Sequence, residues 1–319
     1  MTGSDIPHSA IRVPHSLYPF AGRHLPRPGG RLHYLDEGTG DPVVMVHGNP
    51  TWSFFFRSLV LALRGDHRCV VPDHLGCGLS DKPPAARYDY SLQSRIDDLD
   101  ALLEHAGVGD RVTLVVHDWG GMIGLGWAAR HPGRVKRLVA LNTGAFPLPS
   151  TKRLPRSLWL GRNTAVGEWL ILRANAFCRA AARWCVTRRP LPPDVRRMYL
   201  APYDTPAHRL AVLRFVQTIP LRDGDPGMDL VKRTAAALDG LRGTPTLLLW
   251  GLRDFVFDRH FLAEWRRRMP HAEAHEWPDC GHYLLEDAPA EVAAKVREFL
   301  ERTKAVLTTE DTEVTERKT

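Results

Sequence analysis

No stretch of this sequence approaches the roughly 18–20 apolar residues that a membrane-crossing helix needs. Residues 1–14 lack the basic-then-apolar build of a secretory signal, so a cytoplasmic protein is expected. Cysteine is scarce: five among 319 residues, at 69, 77, 178, 185 and 280, an odd number with no close CxxC pair. That argues against a disulfide framework and fits reduced thiols in a cytoplasmic protein. Acid is nearly missing from residues 151–200, where Glu168 and Asp194 stand against 11 Lys and Arg. That segment carries +9 of a chain whose total is +7, so the remainder is slightly acidic at −2. It has no nucleic-acid recognition motif, and its arginines alternate with apolar residues, so no nucleic-acid partner is expected. Two readings stay open. The segment is a solvated face on amphipathic helices, or it docks an acidic partner or anionic lipid headgroups.

What the sequence has is a globular core. Its apolar fraction is 44%, that of a packed domain. Short apolar runs recur, and each ends in a turn. Residues 31–36 alternate and read as a strand; Pro42-Val43-Val44-Met45-Val46 reads as a strand buried on both faces. Residues 68–72, 112–116, 135–141, 245–250 and 273–277 are further strands. Helical patterns lie between them, over 52–63, 91–105 with Ser91 as its cap, 120–130, 259–269 and 289–304. Strands alternating with helices imply an α/β fold with a mostly parallel sheet covered on both faces. The rhythm stops between Pro147 and Pro226. There the sequence shows helical patterns with Trp159, Trp169, Trp184 and several Arg, broken by prolines. An inserted helical cap is expected at 147–226, with the core at 1–146 and 227–304. Residues 1–28 are expected to wrap the surface. The polar stretch 305–319 is expected to be a disordered tail.

The chemistry concentrates at strand ends. Ligands of open α/β sheets bind beyond the C-terminal ends of the strands. Asp118 follows one such end, in the sharp turn His117-Asp118-Trp119-Gly120-Gly121. Asp254 and His282 follow two others. Their order is nucleophile, acid, histidine, the order of an α/β-hydrolase triad. His282 is then the base and Asp254 its orienting partner, with Asp258 as the rival acid. A carboxylate nucleophile narrows the substrate. Attack on an ordinary ester carbonyl gives an anhydride, whereas attack on a strained or activated sp3 carbon gives a stable alkyl ester. A carbon–halogen bond, an epoxide or a strained lactone qualifies. Each releases negative charge that donors in a dry pocket must receive. Backbone N–H groups of Asn49 and Trp119 are the expected oxyanion hole. The Asn49 amide and Trp119 indole are the expected leaving-group donors. His271 and His275 have i,i+4 spacing but flank a strand, so no metal site is expected there. The glycine-punctuated loop 73–80 has no phosphate-binding signature and reads as a tight turn beside the site.

His47-Gly48-Asn49-Pro50-Thr51-Trp52-Ser53, Gly76-Cys77-Gly78-Leu79-Ser80-Asp81-Lys82-Pro83 and the Asp118 elbow resemble the haloalkane dehalogenase family of α/β-hydrolases. The resemblance runs from about residue 32 to 300. It implies a mostly parallel eight-stranded sheet flanked by helices, with an inserted helical cap. It also implies Asp118 as nucleophile, His282 as base and Asn49 with Trp119 as the leaving-group pair. No cofactor is implied. Some members carry the acid after the sixth strand; here Leu141-Asn142-Thr143 offers no carboxylate, which favours Asp254. Val116 stands where serine hydrolases often carry Gly. Tyr88-Asp89-Tyr90-Ser91-Leu92-Gln93-Ser94-Arg95, the run from Leu141 to Pro149 and Ala201-Pro202-Tyr203-Asp204 resemble more narrowly the bacterial olefin-forming β-lactone decarboxylases. These turn a cis-β-lactone with two long alkyl chains into CO2 and a cis-alkene, in large assemblies with a β-lactone synthetase. The resemblance thus implies a long-chain hydrophobic substrate and such an assembly. Hydrolytic dehalogenation is the alternative. An epoxide hydrolase ranks third because it needs paired cap tyrosines, for which Tyr199 and Tyr203 are the nearby candidates. A non-catalytic binding scaffold is a fourth reading, opposed by the intact triad.

Overall fold

The computed structural model describes residues 13–316, with side chains from 13 to 304; residues 1–12 and 317–319, read above as surface wrap and tail, lie outside the described residues. Eight strands form one sheet, in the order β1-β2-β4-β3-β5-β6-β7-β8. They are β1 (Arg23–Arg27), β2 (Gly30–Glu37), β3 (Asp41–Val46), β4 (His67–Pro72), β5 (Val112–Asp118), β6 (Val135–Thr143), β7 (Thr246–Gly251) and β8 (Glu273–Trp277). The pairings of β2 with β1 and β4 are antiparallel; all later ones are parallel.

The continuous apolar runs have a direct physical reading. Successive strand residues point to opposite faces, so a strand covered on both sides needs apolar residues at every position. Val44, Val46, Leu114, Val116, Leu248 and Trp250 fall in one buried cluster. Val43, Met45, Val115, Leu247 and Leu249 fall in another, across the sheet. Each such side chain contributes about 1.5–3 kcal/mol by leaving water. Replacing buried Leu114 by Ala would cost about 2–5 kcal/mol, because the packed neighbours cannot close over the gap.

The helices over these faces are α1 (Arg57–Leu63), α2 (Leu92–His105) and α3 (Gly120–Arg130). After β6 the chain leaves the sheet and forms α4 (Arg156–Asn163), α5 (Ala165–Leu172), α6 (Ala176–Trp184), α7 (Pro193–Leu200) and α8 (Leu210–Gln217). It returns through α9 (Met228–Ala237), whose Val231 and Ala235 join the buried cluster of α2 and α3. The chain ends in α10 (Arg259–Arg268), α11 (Leu284–Asp287) and α12 (Pro289–Glu316). Ser91 caps α2, its hydroxyl accepting the Ser94 N–H at 3.0 Å.

Three expectations need correction. Part of the stretch expected to wrap the surface is β1, a hairpin partner of β2. Pro26 hid it, but proline is tolerated on an edge strand, where its missing N–H breaks no ladder. The helix expected from Trp52 begins as a 3-10 turn, Ser53–Phe56, before α1. The helix α12 continues to Glu316, through most of the stretch expected to be a disordered tail. Extending an existing helix needs no new nucleus, so a polar stretch can carry it on. The five cysteines are free and buried. No helix among the described residues is long and apolar enough to cross a membrane.

Candidate active site

Asp118 ends β5, and α3 starts two residues later. The turn forces Asp118 to φ +53°, a left-handed conformation costing a non-glycine residue about 1–2 kcal/mol. Several contacts hold it there. The Asn49 N–H donates to Asp118 Oδ1 at 2.7 Å, and the Thr143 hydroxyl donates to the Asp118 carbonyl at 2.5 Å. The backbone is packed so tightly that glycine is required at two neighbours. A Cβ on Gly48 would sit 1.9 Å from Asp118 Oδ1, and one on Gly120 would sit 1.9 Å from the Val46 carbonyl oxygen. The positive end of α3 faces this carboxylate and favours its charge.

His282 reaches Asp118 from the loop after β8. Its Nε2 lies 3.3 Å from Asp118 Oδ2, and its Nδ1 lies 2.7 Å from Asp254 Oδ2. Asp254 follows β7, and its Oδ1 accepts the N–H groups of Val256 and Phe257 at 2.7 and 3.1 Å. The rival, Asp258, faces elsewhere: it caps α10 through the His260 N–H and pairs with Lys152 at 2.7 Å. All three triad side chains are buried. Burial disfavours a charged His282, but the Asp254 charge and hydrogen bonds to both carboxylates outweigh it, pushing the imidazole up to about 10. Burial likewise opposes the Asp118 charge, and the hydrogen bond and charge of His282 outweigh it, lowering its carboxyl below the usual range. The resting pair is therefore imidazolium beside carboxylate.

The other expected residues lie at the same point. Trp119 and Asn49 line the cavity beside Asp118. The Trp119 indole N–H has no protein acceptor among the described residues, so it can receive an anion. The Asn49 amide donates one N–H to the Val212 carbonyl of α8 at 3.3 Å, which leaves its second for a leaving group. Tyr199 and Tyr203 are not at the site: both are buried, the first bonded to Glu286 and the second to the Thr51 carbonyl at 3.4 Å. Neither lines the cavity, so the tyrosine pair of an epoxide hydrolase is missing there. His271 faces the Thr244 carbonyl and His275 pairs with Glu273, so the two do not converge.

Sequence reasoning missed the residues that tie these parts together. His117 Nε2 donates to the His282 carbonyl at 2.9 Å; burial depresses this imidazole to about 3, so it stays neutral. The Asn142 amide joins the end of β6 to the acid loop, accepting the Gly251 N–H at 2.8 Å and donating to the Phe257 carbonyl at 3.3 Å. Asp287 accepts the N–H groups of Gly281, Thr187 and Arg188, which ties the His282 loop to the cap. These are bonds between distant chain positions, and no local pattern announces them. In the glycine-punctuated loop, Asp73 is a buried anchor, bonded by His33, the Ser53 N–H and the Leu79 N–H.

Above the triad lies a cavity of about 740 Å³. Its core side includes Met122, Phe146 and Phe261; its cap side includes Leu148, Leu158, Leu160, Leu170, Ile171 and Phe177. A charged triad under an apolar roof has little water to compete with its electrostatics.

The profile of the alpha/beta hydrolase fold matches residues 41–289. The chain is 55% identical to a cis-3-alkyl-4-alkyloxetan-2-one decarboxylase of Shewanella oneidensis over 293 residues, covering 92% of each chain. It is 50% identical to the protein of the same name from Xanthomonas campestris, covering 89% of this chain and 97% of that one. Its fold is similar to a loop variant of a haloalkane dehalogenase from Bradyrhizobium elkanii, with TM-score 0.82 and 26% identity, over 91% of this chain and 99% of that one.

Proposed function

This chain belongs to the α/β-hydrolase fold family, and from that premise we propose that it decarboxylates cis-3,4-dialkyl β-lactones, releasing CO2 and a cis-alkene in long-chain olefin biosynthesis. The observation that carries the reading is a charged Asp118 at the floor of a large apolar cavity, beside a Trp119 indole N–H with no acceptor among the described residues. Relatives at 55% and 50% identity whose names give this substrate support it.

The proposed steps balance without water. Asp118 Oδ2 attacks ring carbon C4, and the C4–O bond breaks with its electron pair leaving on the ring carboxylate. Trp119 and Asn49 receive that charge. The C3–carboxylate bond then breaks; its pair forms the C3=C4 bond, and the C4–O bond to Asp118 returns its pair to the aspartate. Inversion at C4 followed by anti elimination leaves both alkyl chains on one side, the cis product. The His282 imidazolium, 3.3 Å from Asp118, stabilises the carboxylate before attack and again as it leaves. The proposed setting is the cytoplasm, with the cap meeting a membrane or a β-lactone synthetase in a larger assembly.

Hydrolytic dehalogenation is the second reading, favoured by the Asn49–Trp119 pair and the likeness to a dehalogenase structure. Esterified Asp118 carries no charge. One of the two anions holding the proton on His282 is then gone, so the imidazolium can release that proton to solvent and the neutral imidazole then serve as base toward water. A paired incubation separates the two. A cis-dialkyl β-lactone should give cis-alkene and CO2, and a 1-haloalkane should release little halide. Halide without alkene would reverse the ranking. The product gives a further check. Release of a 3-hydroxy acid from the lactone, in place of alkene and CO2, would show that water clears the ester and would refute direct elimination.

A further inference from the structure

Each of three cap helices over the cavity leaves a tryptophan in water. Trp159 of α4, Trp169 of α5 and Trp184 of α6 are 54%, 59% and 65% exposed, and Val166 of α5 is 62% exposed. Soluble chains scatter single apolar residues over their surfaces, but a set of tryptophans on consecutive helices marks a contact face. The same helices contain Arg156, Arg162, Arg179 and Arg183 against one acid, Glu168. Arg162 is tied to Asp225. Arg156, Arg179 and Arg183, and Arg173 at the C-terminal end of α5, are exposed and make no ion pair among the described residues. Tryptophan with arginine is the composition that rests at the headgroup level of a bilayer: the ring sits among the upper acyl carbons and the guanidinium meets phosphate.

The cavity adds an independent observation. On α6 the lining residues are Ala176, Phe177, Arg179, Ala180, Ala181, Arg183 and Trp184, most of the helix. Three of these are also exposed to solvent, so the cavity opens through the tryptophan- and arginine-bearing surface. A molecule with two long alkyl chains resides in lipid rather than water. We propose that the outer face of α4, α5 and α6 docks on an anionic bilayer surface, so that the cavity exchanges its long-chain substrate and product directly with lipid. The exchange rests on the alkyl-chain reading of the substrate. The docking does not, and is measured without substrate.

The test is flotation of the full chain with vesicles of phosphatidylcholine, alone or with about one-third phosphatidylglycerol. The chain floats with the anionic vesicles, far less with the neutral ones, and is released by high salt. Its tryptophan emission shifts to the blue on binding. Trp159→Ser with Trp169→Ser, and separately Arg156→Glu with Arg173→Glu, lower anionic-vesicle binding about tenfold or more. None of these four residues lines the cavity. Turnover of a short-chain, water-dispersed lactone and the unfolding temperature therefore stay as in the parent. Turnover of a long-chain lactone presented in vesicles falls with binding. A parent chain that ignores anionic vesicles, or a tryptophan variant that floats as well as the parent, overturns the proposal. Self-association that depends on Trp159 and Trp169 without lipid also overturns it, and makes the face a protein interface. Flotation without alkene formation from any lactone leaves the docking standing and refutes the substrate assignment alone.

Discussion

The floor and the roof of the cavity are built on opposite plans. On the floor, Asp118, His282 and Asp254 are each buried and each held by at least two partners. On the roof, Trp159, Trp169 and Trp184 stand in solvent, and Arg156, Arg179 and Arg183 on the same helices make no ion pair among the described residues. The floor is a fixed electrostatic device, anchored to strands that cannot shift without disturbing both packed faces of the sheet. The roof consists of short helices with a small buried cluster of their own, Ile171, Cys178, Tyr203, Val212, Leu213 and Val216. Under the proposed function, the chemistry belongs to the floor and the fit of the substrate chains to the roof.

The sharpest way to break this contrast is Asp118→Ala. It should lower alkene formation from a cis-β-lactone by about 10⁴-fold or more, since every proposed step passes through that oxygen. Substantial turnover after this change would remove the floor from the chemistry. Trp119→Phe keeps the ring and deletes one donor; kcat should fall about 10²-fold with a smaller change in KM. Equal losses in binding and turnover would assign the indole to packing. Leu170→Trp fills part of the roof, and should cut kcat/KM for the longest chains about tenfold while sparing short ones. A uniform loss across chain lengths would show that roof and floor are not separable.

The smallest effect is on stability against pH. The folded chain holds the His282 proton up to about 10, whereas an unfolded chain releases it near 6.5. Folded protein therefore binds more protons in that window. The stabilisation is complete below about pH 6.5 and is lost as pH rises toward about 10. Asp118→Asn removes one of the two anions, and should shift the upper end of the window down by about 1–3 units. Melting temperatures measured across this range check it; identical slopes in parent and variant would deny the ion pair.

The floor was legible in the sequence, and the roof was not, for physical reasons. Strands buried on both faces leave continuous runs such as Val43-Val44-Met45-Val46, and Asp118, Asp254 and His282 follow the strand ends directly. The strand β1 was obscured because it lies at the sheet edge and contains Pro26, where neither alternation nor propensity is enforced. Asn142, His117 and Asp287 escaped because their partners lie on remote loops. The three cap tryptophans were plain in the composition, yet whether they face inward or outward depends on how short helices pack, which their spacing does not encode.

The bonds that cross from cap to core have one more outcome. The Asn49 amide is turned by the Val212 carbonyl at 3.3 Å, the Tyr283 N–H donates to the Cys185 carbonyl at 2.8 Å, and Asp287 grips Thr187 and Arg188. Swinging the cap aside would release the donor for the departing anion and loosen the histidine loop in the same movement. The cap thus braces two parts of the site at once, and a change that unseats it should be felt at both Asn49 and His282.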